Sequence, residues 1–136
     1  GRFEVLRRDP VFLLDGAHNA HGMTAAAESL GALFPRRKIV FVLGLLADKD
    51  VSAMLDALAP LAKQVFILRP DSPRAMEAEA LTSLLAERGV PARACGTAEE
   101  GVRSAMEAAG RSGIVCALGS LYLSGDIRRA VKILGT

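Results

Sequence analysis

The fold class is decided by the stretch Val11-Phe12-Leu13-Leu14-Asp15-Gly16-Ala17-His18-Asn19 of this 136-residue chain. Its first four residues are all apolar, which is typical of a strand that is buried on both faces of a sheet. The five residues that follow are small or polar and predict a turn. Apolar residues then recur at helical spacing over 22–34, and Pro35 ends the predicted helix. A buried strand, a turn and a helix in this order predict the first unit of an α/β fold.

The same alternation of strand and helix continues to the end of the chain. Further strands are predicted at 39–43, 65–68, 91–95 and 114–118, and the segment 3–6 is a candidate for one more. Helices are predicted after Asp50 or Ser52, over 74–88, from Thr97 to about 109, and after 119–120 to about 134. Thr97 and Glu100 have the spacing of a capping box. The pattern predicts a Rossmann-like, three-layer α/β/α sandwich with a mostly parallel sheet of five to six strands.

Composition argues against several classes of function. The net charge is +2, from 17 basic and 15 acidic residues, and with no Trp and one Tyr there are few rings on which bases could stack. We therefore expect no nucleic-acid binding. No apolar run approaches the ~20 residues of a membrane helix, and no signal-peptide pattern is visible, so we expect a cytoplasmic protein without a membrane segment. Cys95 and Cys116 lack ligand spacing and are predicted to be reduced, buried and free of metal.

Polar residues follow three of the predicted strands. Ligands of an open parallel sheet bind beyond the carboxyl ends of its strands, and this rule selects the loops 15–19, 44–50 and 119–120. Purely structural roles remain open for their residues. These roles are the capping of a helix for Asp15, Asn19 and Ser120, a charged turn for Lys49 and an ordinary surface position for His18.

Two other polar residues are interpreted as structural, His21 without a specific role and Tyr122 as a packing residue. The chain contains neither GxxxxGK[ST] nor a GxGxxG that follows a strand, so we do not expect it to hold a triphosphate unaided. It also lacks the Gly-x-Ser-x-Gly turn that presents a nucleophile in α/β-hydrolases. On these grounds the chain by itself is not predicted to be a complete enzyme.

Four motifs in this order resemble those of the folylpolyglutamate synthases and bifunctional dihydrofolate synthases, which are members of the Mur ligase superfamily. They extend over nearly the whole chain. The motifs are Gly1-Arg2-Phe3, then Leu14-Asp15-Gly16-Ala17-His18-Asn19 with Gly22, then Gly44-Leu45-Leu46-Ala47-Asp48-Lys49-Asp50, and finally Gly119-Ser120-Leu121-Tyr122-Leu123 followed by Gly125-Asp126-Ile127-Arg128.

The resemblance implies that residues 1–136 are the C-terminal, glutamate-ligase domain of a two-domain enzyme, and that the N-terminal ATPase domain is absent from this chain. It implies ATP and Mg²⁺ as cofactors, with the Mg²⁺ ligands mainly in the absent domain. The implied substrates are L-glutamate and a folate or dihydropteroate, joined through an acyl phosphate. The resemblance further implies a monomer whose isolated C-terminal domain is inactive.

The resemblance also implies roles for five residues of this sequence. Arg2 and Asp15 are expected to contact the nucleotide, and no residue is expected to bind a metal. His18 is the expected catalytic residue, and His18, Lys49 and Ser120 are expected to bind glutamate.

Two other functions compete with this interpretation. One is a C-terminal domain of a peptidoglycan-precursor ligase, which would keep the chemistry and change the substrate. The other is a receiver-like regulatory domain, in which Asp15 would accept a phosphoryl group and Lys49 would be its partner.

Overall fold

The computed structural model describes residues 3–48, 50–119 and 121–135. Its strands are β1 (Glu4–Arg8), β2 (Val11–Leu14), β3 (Ile39–Leu43), β4 (Ala62–Ile67), β5 (Ala92–Ala94) and β6 (Ile114–Leu118). Its helices are α1 (Ala20–Leu33), α2 (Val51–Leu58), α3 (Ala78–Glu87), α4 (Ala98–Ala109) and α5 (Ser124–Leu134), with short 3₁₀ helices at Ala59–Leu61 and Leu121–Leu123.

The strands form one sheet in the order β1-β2-β6-β3-β4-β5. The pair β1–β2 is antiparallel, and the four other neighbouring pairs are parallel. The predicted mostly parallel sheet is thereby confirmed, and the candidate strand near the start of the chain exists as β1. β5 lies at an edge of the sheet. The preceding residue, Pro91, has no N–H to donate, and an edge strand tolerates this because it has a neighbouring strand on one side only.

Helices cover both faces of the sheet. Leu13 and Phe41 pack under α1, α2 and α3, whereas Phe12 and Val42 pack under α4 and α5. Successive residues of a strand point to opposite faces, so a strand between two helical layers has no position that faces water. This geometry explains why all five residues of β3 are apolar and buried. The predicted three-layer sandwich is confirmed.

Local capping signals begin two of the helices. The side chain of Asn19 accepts a hydrogen bond of 2.8 Å from the Gly22 N–H at the start of α1. At α4, Thr97 Oγ1 accepts from the Glu100 N–H at 3.1 Å, and the Glu100 carboxylate accepts from the Gly96 N–H at 3.2 Å. The predicted capping box is therefore present, with its return bond one residue earlier than the motif specifies.

Two helices begin later than the sequence predicts. α3 begins at Ala78 rather than at 74, and α5 begins at Ser124, after the 3₁₀ helix Leu121–Leu123. The predicted start at 74 is wrong, because Ala75 pairs with Leu46 in an antiparallel bridge. The packing role predicted for Tyr122 is wrong, because this side chain is 64% exposed.

The antiparallel edge strand is tied to the last helix by one ion pair. Arg128 on α5 donates through Nε and Nη2 to both carboxylate oxygens of Glu4 on β1, at 2.8–3.1 Å. This bond lowers the pKa of Glu4 below its ordinary value.

Among the residues that the structure describes, no helix is both long enough and apolar enough to span a bilayer.

Candidate functional site

The topology creates a crevice at the carboxyl ends of the central strands. β2 and β6 are neighbours, yet β2 continues into α1 on one face of the sheet and β6 continues toward α5 on the other face. β3 flanks β6 on its other side and leads into α2, which lies on the same face as α1. Loops that leave adjacent strands toward opposite faces diverge, and the space between them is where open α/β sheets bind ligands.

The first loop of this crevice is fixed by backbone bonds and one carboxylate. The Asp15 N–H donates to the Ala117 carbonyl at 3.0 Å, which extends the β2–β6 ladder by one residue. Asp15 Oδ2 accepts from the Ala17 N–H at 3.2 Å, and the Ala17 carbonyl accepts from the Gly119 N–H at 2.8 Å. These bonds join the loop after β2 to the loop after β6, so two of the three loops selected from the sequence are in contact.

His18 lies in this loop with a defined tautomer. Its Nδ1 is 3.1 Å from the carbonyl oxygen of Gly16. A carbonyl oxygen can only accept a hydrogen bond, so Nδ1 must carry the proton. In the neutral imidazole, Nε2 then holds the lone pair and is the nitrogen that can accept a proton from a ligand. The side chain is exposed, so a ligand can reach it.

Two glycines allow the second and third loops to approach each other. Gly119 has φ of +112°, and a Cβ at this position would overlap the Gly44 carbonyl oxygen and lie 3.0 Å from a methyl group of Leu45. A Cβ on Gly44 would overlap a methyl group of Leu123 and lie 2.8 Å from the Leu68 carbonyl oxygen. Glycine at both positions is therefore required for the close approach of these loops.

A fourth loop, which the sequence did not indicate, completes the crevice. The Ala47 N–H donates to the Arg74 carbonyl at 2.7 Å, and the Met76 N–H donates to the Leu45 carbonyl at 2.8 Å. Through this short antiparallel pairing, the segment between β4 and α3 folds back against the loop that follows β3. Arg74 is thereby held at the carboxyl edge of the sheet.

These four loops surround a cavity of about 510 Å³. Its lining combines a cation, a carboxylate, an imidazole and apolar side chains. The lining residues are His18, Leu46, Asp48, Arg74, Gly119, Leu121 and Tyr122.

Only part of the predicted site lies in the portion of the chain that the structure describes. Within that portion, His18 lines the cavity, whereas Asp15 is not among the lining residues. Arg2, Lys49 and Ser120 lie outside the described residues. Lys49 and Ser120 directly follow Asp48 and Gly119 in the sequence, and both of these predecessors are lining residues.

Sequence reasoning missed Arg74 and misjudged Tyr122. Arg74 was predicted to be the first residue of a helix over 74–88, and 69–73 was predicted to be a loop without a functional role. Residues 69–77 follow a parallel strand. The rule that ligands bind beyond the carboxyl ends of such strands would therefore also have selected this loop. Tyr122 belongs to the motif that contains Ser120, a predicted glutamate contact. This proximity in sequence was a better guide to its place in the cavity lining than the assignment to packing.

Buried cysteine lies beneath the crevice. Cys116 is fully buried on β6, opposite Leu13 in the β2–β6 ladder. Burial raises the pKa of its thiol strongly, and the nearby negative charge of Asp15 raises it further. Burial likewise raises the pKa of Cys95. Both thiols are therefore held in the protonated form, as expected for apolar packing residues.

The described residues include no group of three or more His, Cys, Asp or Glu side chains that are arranged to hold a metal ion.

A protein-family model described as "Mur ligase, glutamate ligase domain" matches residues 1–121. The chain belongs to this family. The resemblance found in the sequence motifs is thereby confirmed, and the receiver-like interpretation loses its support. The match covers the loops after β2 and β3 and reaches Leu121 at the end of the third loop.

The similar proteins are named as folylpolyglutamate or dihydrofolate synthases. The chain is 39% identical over 109 residues to "Dihydrofolate synthase/folylpolyglutamate synthase" of Mycobacterium tuberculosis, an alignment that covers 80% of the chain and 22% of that protein. The structure titled "Mycobacterium tuberculosis Folylpolyglutamate synthase complexed with ADP" superimposes with a TM-score of 0.82 at 32% identity, covering 100% of this chain and 32% of the other.

A second solved structure is titled as the bifunctional folylpolyglutamate synthase/dihydrofolate synthase of Yersinia pestis, complexed with AMPPNP and Mn ion. It matches with a TM-score of 0.78 at 29% identity, over 100% of this chain and 31% of that one. This Mur ligase domain thus spans between a fifth and a third of the length of these three chains.

Proposed function

We propose that this chain is the amino-acid-handling, C-terminal domain of a two-domain, ATP-dependent ligase that adds L-glutamate to the carboxylate of a folate or of dihydropteroate. The observation that carries the proposal is the cavity at the crevice of the sheet, where His18, Asp48 and Arg74 lie together in a chain that belongs to the glutamate ligase domain family. The names of the similar proteins support the folate or dihydropteroate as the acceptor.

The reaction assigns distinct tasks to the two domains. The N-terminal domain would transfer the terminal phosphoryl group of ATP to the acceptor carboxylate, and the domain described here would bring the glutamate amine to the resulting acyl phosphate. Attack of the amine on the acyl carbon forms a tetrahedral intermediate. Its collapse expels inorganic phosphate and leaves the amide. Because the acyl group is already activated, this domain contributes mainly positioning and proton handling.

His18 is the proposed proton acceptor. An ammonium group cannot attack a carbonyl carbon, so the amine must lose a proton before or during the attack. With Nδ1 bound to the Gly16 carbonyl, Nε2 is the nitrogen that can take this proton. Lys49 and Ser120, which follow two lining residues in the sequence, are proposed as contacts of the glutamate carboxylates.

The nucleotide is assigned to the other end of the same loop. Asp15 is half-buried, and the bond from the Ala17 N–H fixes its carboxylate at the end of β2. We assign Asp15 to the ribose hydroxyls, which are donors that a carboxylate binds well, and Arg2 to the phosphates. The similar structures are complexes with ADP or AMPPNP, which supports a nucleotide in the parent enzyme.

Magnesium is assigned to the parent enzyme and not to this domain. Its ligands are proposed to lie mainly in the N-terminal domain, as the family resemblance implies. We further propose that the parent enzyme acts in the cytoplasm as a monomer, and that residues 1–136 alone have no ligase activity. Closure of the two domains would exclude water, which would otherwise hydrolyse the acyl phosphate.

Phosphate release by the full-length enzyme tests the proposal. The enzyme is supplied with ATP, Mg²⁺ and L-glutamate, and dihydropteroate and tetrahydrofolate are offered separately as acceptors. Release that requires both glutamate and one of the acceptors is expected, and the acceptor that works distinguishes the two synthase activities. A folded, ATP-binding enzyme that releases no phosphate with either acceptor would refute the folate assignment.

Paired histidine variants test the site. His18→Ala should lower kcat about 10²- to 10⁴-fold, the usual contribution of a positioned base. His21→Ala is the matched control, because His21 is an exposed histidine three residues further on that does not line the cavity in the described structure. Equal activities of the two variants would remove His18 from the site.

A further inference from the structure

Arg74 stands on a rigid piece of backbone. Its carbonyl accepts from the Ala47 N–H at 2.7 Å, and its N–H donates to Ser72 Oγ at 3.1 Å. The next residue, Ala75, is 8% exposed and bridges to Leu46. The base of the arginine side chain is therefore fixed at the wall of the cavity that contains His18, although the side chain itself is exposed.

The charge of Arg74 is not neutralised within the described protein. No ion pair or side-chain hydrogen bond of its guanidinium occurs among residues 3–48, 50–119 and 121–135. The other arginine of the same loop behaves differently, because Arg69 is paired with Glu77 at 3.1 Å. Asp48 lines the same cavity as Arg74, yet no ion pair joins the two in the described structure.

A cavity that holds a separate cation and carboxylate beside apolar side chains suits a small ligand with charges of both signs. A guanidinium presents five donors in a planar fork and binds a carboxylate through two parallel hydrogen bonds. Leu46 and Leu121 offer apolar surface for a short aliphatic stem. An amino acid with a second carboxylate has all of these features.

We infer that Arg74 binds a carboxylate of the incoming amino acid and is a specificity residue of this site. The inference rests on the proposed function, because it concerns the amino acid that this domain presents. It assigns to Arg74 the binding of a carboxylate of the amino acid, whereas His18 acts on the amine.

Two matched substitutions in the full-length enzyme test this role. Arg74→Gln removes the charge and leaves a shorter polar side chain, and Arg74→Lys keeps the charge without the planar fork. Arg69→Gln is the control, because Arg69 belongs to the same loop and already has a carboxylate partner. The initial rate of phosphate release is measured against glutamate and, separately, against ATP.

We expect Arg74→Gln to raise the KM for glutamate about 10- to 100-fold, the usual effect of losing a hydrogen-bonded charge partner, and to leave the KM for ATP within about twofold of wild type. Arg74→Lys should recover part of the loss, and Arg69→Gln should match wild type. A glutamate KM that changes no more in Arg74→Gln than in Arg69→Gln overturns the inference. An equal rise in the ATP KM also overturns it, because a general distortion of the enzyme would produce that result.

Amide analogues identify which carboxylate is bound. Glutamine lacks the side-chain carboxylate and isoglutamine lacks the α-carboxylate. The wild-type enzyme should be a poor catalyst with the analogue that lacks the carboxylate bound by Arg74. In Arg74→Gln the penalty for that analogue should shrink at least about tenfold, because the two changes remove the same interaction. Undiminished penalties for both analogues overturn the inference. If wild type shows no glutamate-dependent release at all, the proposed function itself fails and the inference falls with it.

Discussion

The close approach of two loops at Gly119 leads to a quantitative prediction. In Gly119→Ala, the backbone of the alanine would have to keep φ near +112°, and its methyl group would overlap the Gly44 carbonyl oxygen. A non-glycine residue at positive φ costs about 1–2 kcal/mol, and forcing an extra methyl group into a packed region costs about 1–3 kcal/mol. The expected loss in the free energy of unfolding is therefore about 2–5 kcal/mol.

Two control glycines separate backbone strain from overlap. Gly89 also has positive φ, at +74°, but a Cβ there would have no atom within 4 Å, so Gly89→Ala should lose only about 1–2 kcal/mol. Gly31 lies within α1 and is equally open, so Gly31→Ala should stabilise the chain by about 0.5–1 kcal/mol.

Urea unfolding of the 136-residue chain, followed by circular dichroism, measures all three changes. The three variants should unfold with the same dependence on urea and differ only in their midpoints. Equal losses in Gly119→Ala and Gly89→Ala would refute the reasoning, because strain alone would then account for both. A loss below about 1 kcal/mol in Gly119→Ala would show that the two loops can separate easily.

Three further predictions concern single contacts. Asn19→Ala should lower the free energy of unfolding by about 1 kcal/mol, whereas Asn19→Asp should retain most of it, because either oxygen can cap α1. Glu4→Gln should lower the thermal midpoint at neutral pH; since Arg128 lowers the pKa of Glu4, the difference from wild type should fade as the pH falls below 4.5, and a constant difference would contradict the pairing. In a Cys95→Ala background, a thiol reagent should modify Cys116 only as fast as the protein unfolds, because burial raises the pKa of this thiol and blocks access; rapid labelling without urea would show otherwise.

The candidate site shows how a common sheet acquires a particular chemistry. The strands contribute no polar side chain to the cavity lining, and the functional groups come from the loops after β2, β3, β4 and β6. The backbone bonds Ala47–Arg74 and Gly119–Ala17 hold these loops together. The site is therefore rigid at its base, and the side chains that meet a ligand remain exposed at the opening.

The sequence alone was sufficient wherever the deciding interaction is local. β3 and β6 have the predicted bounds because a short apolar run between turn residues has few other favourable positions. α4 begins where Thr97 and Glu100 satisfy the free N–H groups of its first turn. The fold class followed from the repetition of such units, and the family followed from the order of the loop motifs.

Tertiary structure alone decided which loops share a cavity. The pairing of Leu46 with Ala75 joins residues that are far apart in the chain, and it overrides the helical preference of the segment that carries Arg74. Local preferences amount to a few tenths of a kcal/mol per residue, so a handful of long-range hydrogen bonds and buried contacts is enough to reverse them. For this reason the sequence determined the sheet and the family of this protein, and the packed structure determined that Arg74 and His18 line the same cavity.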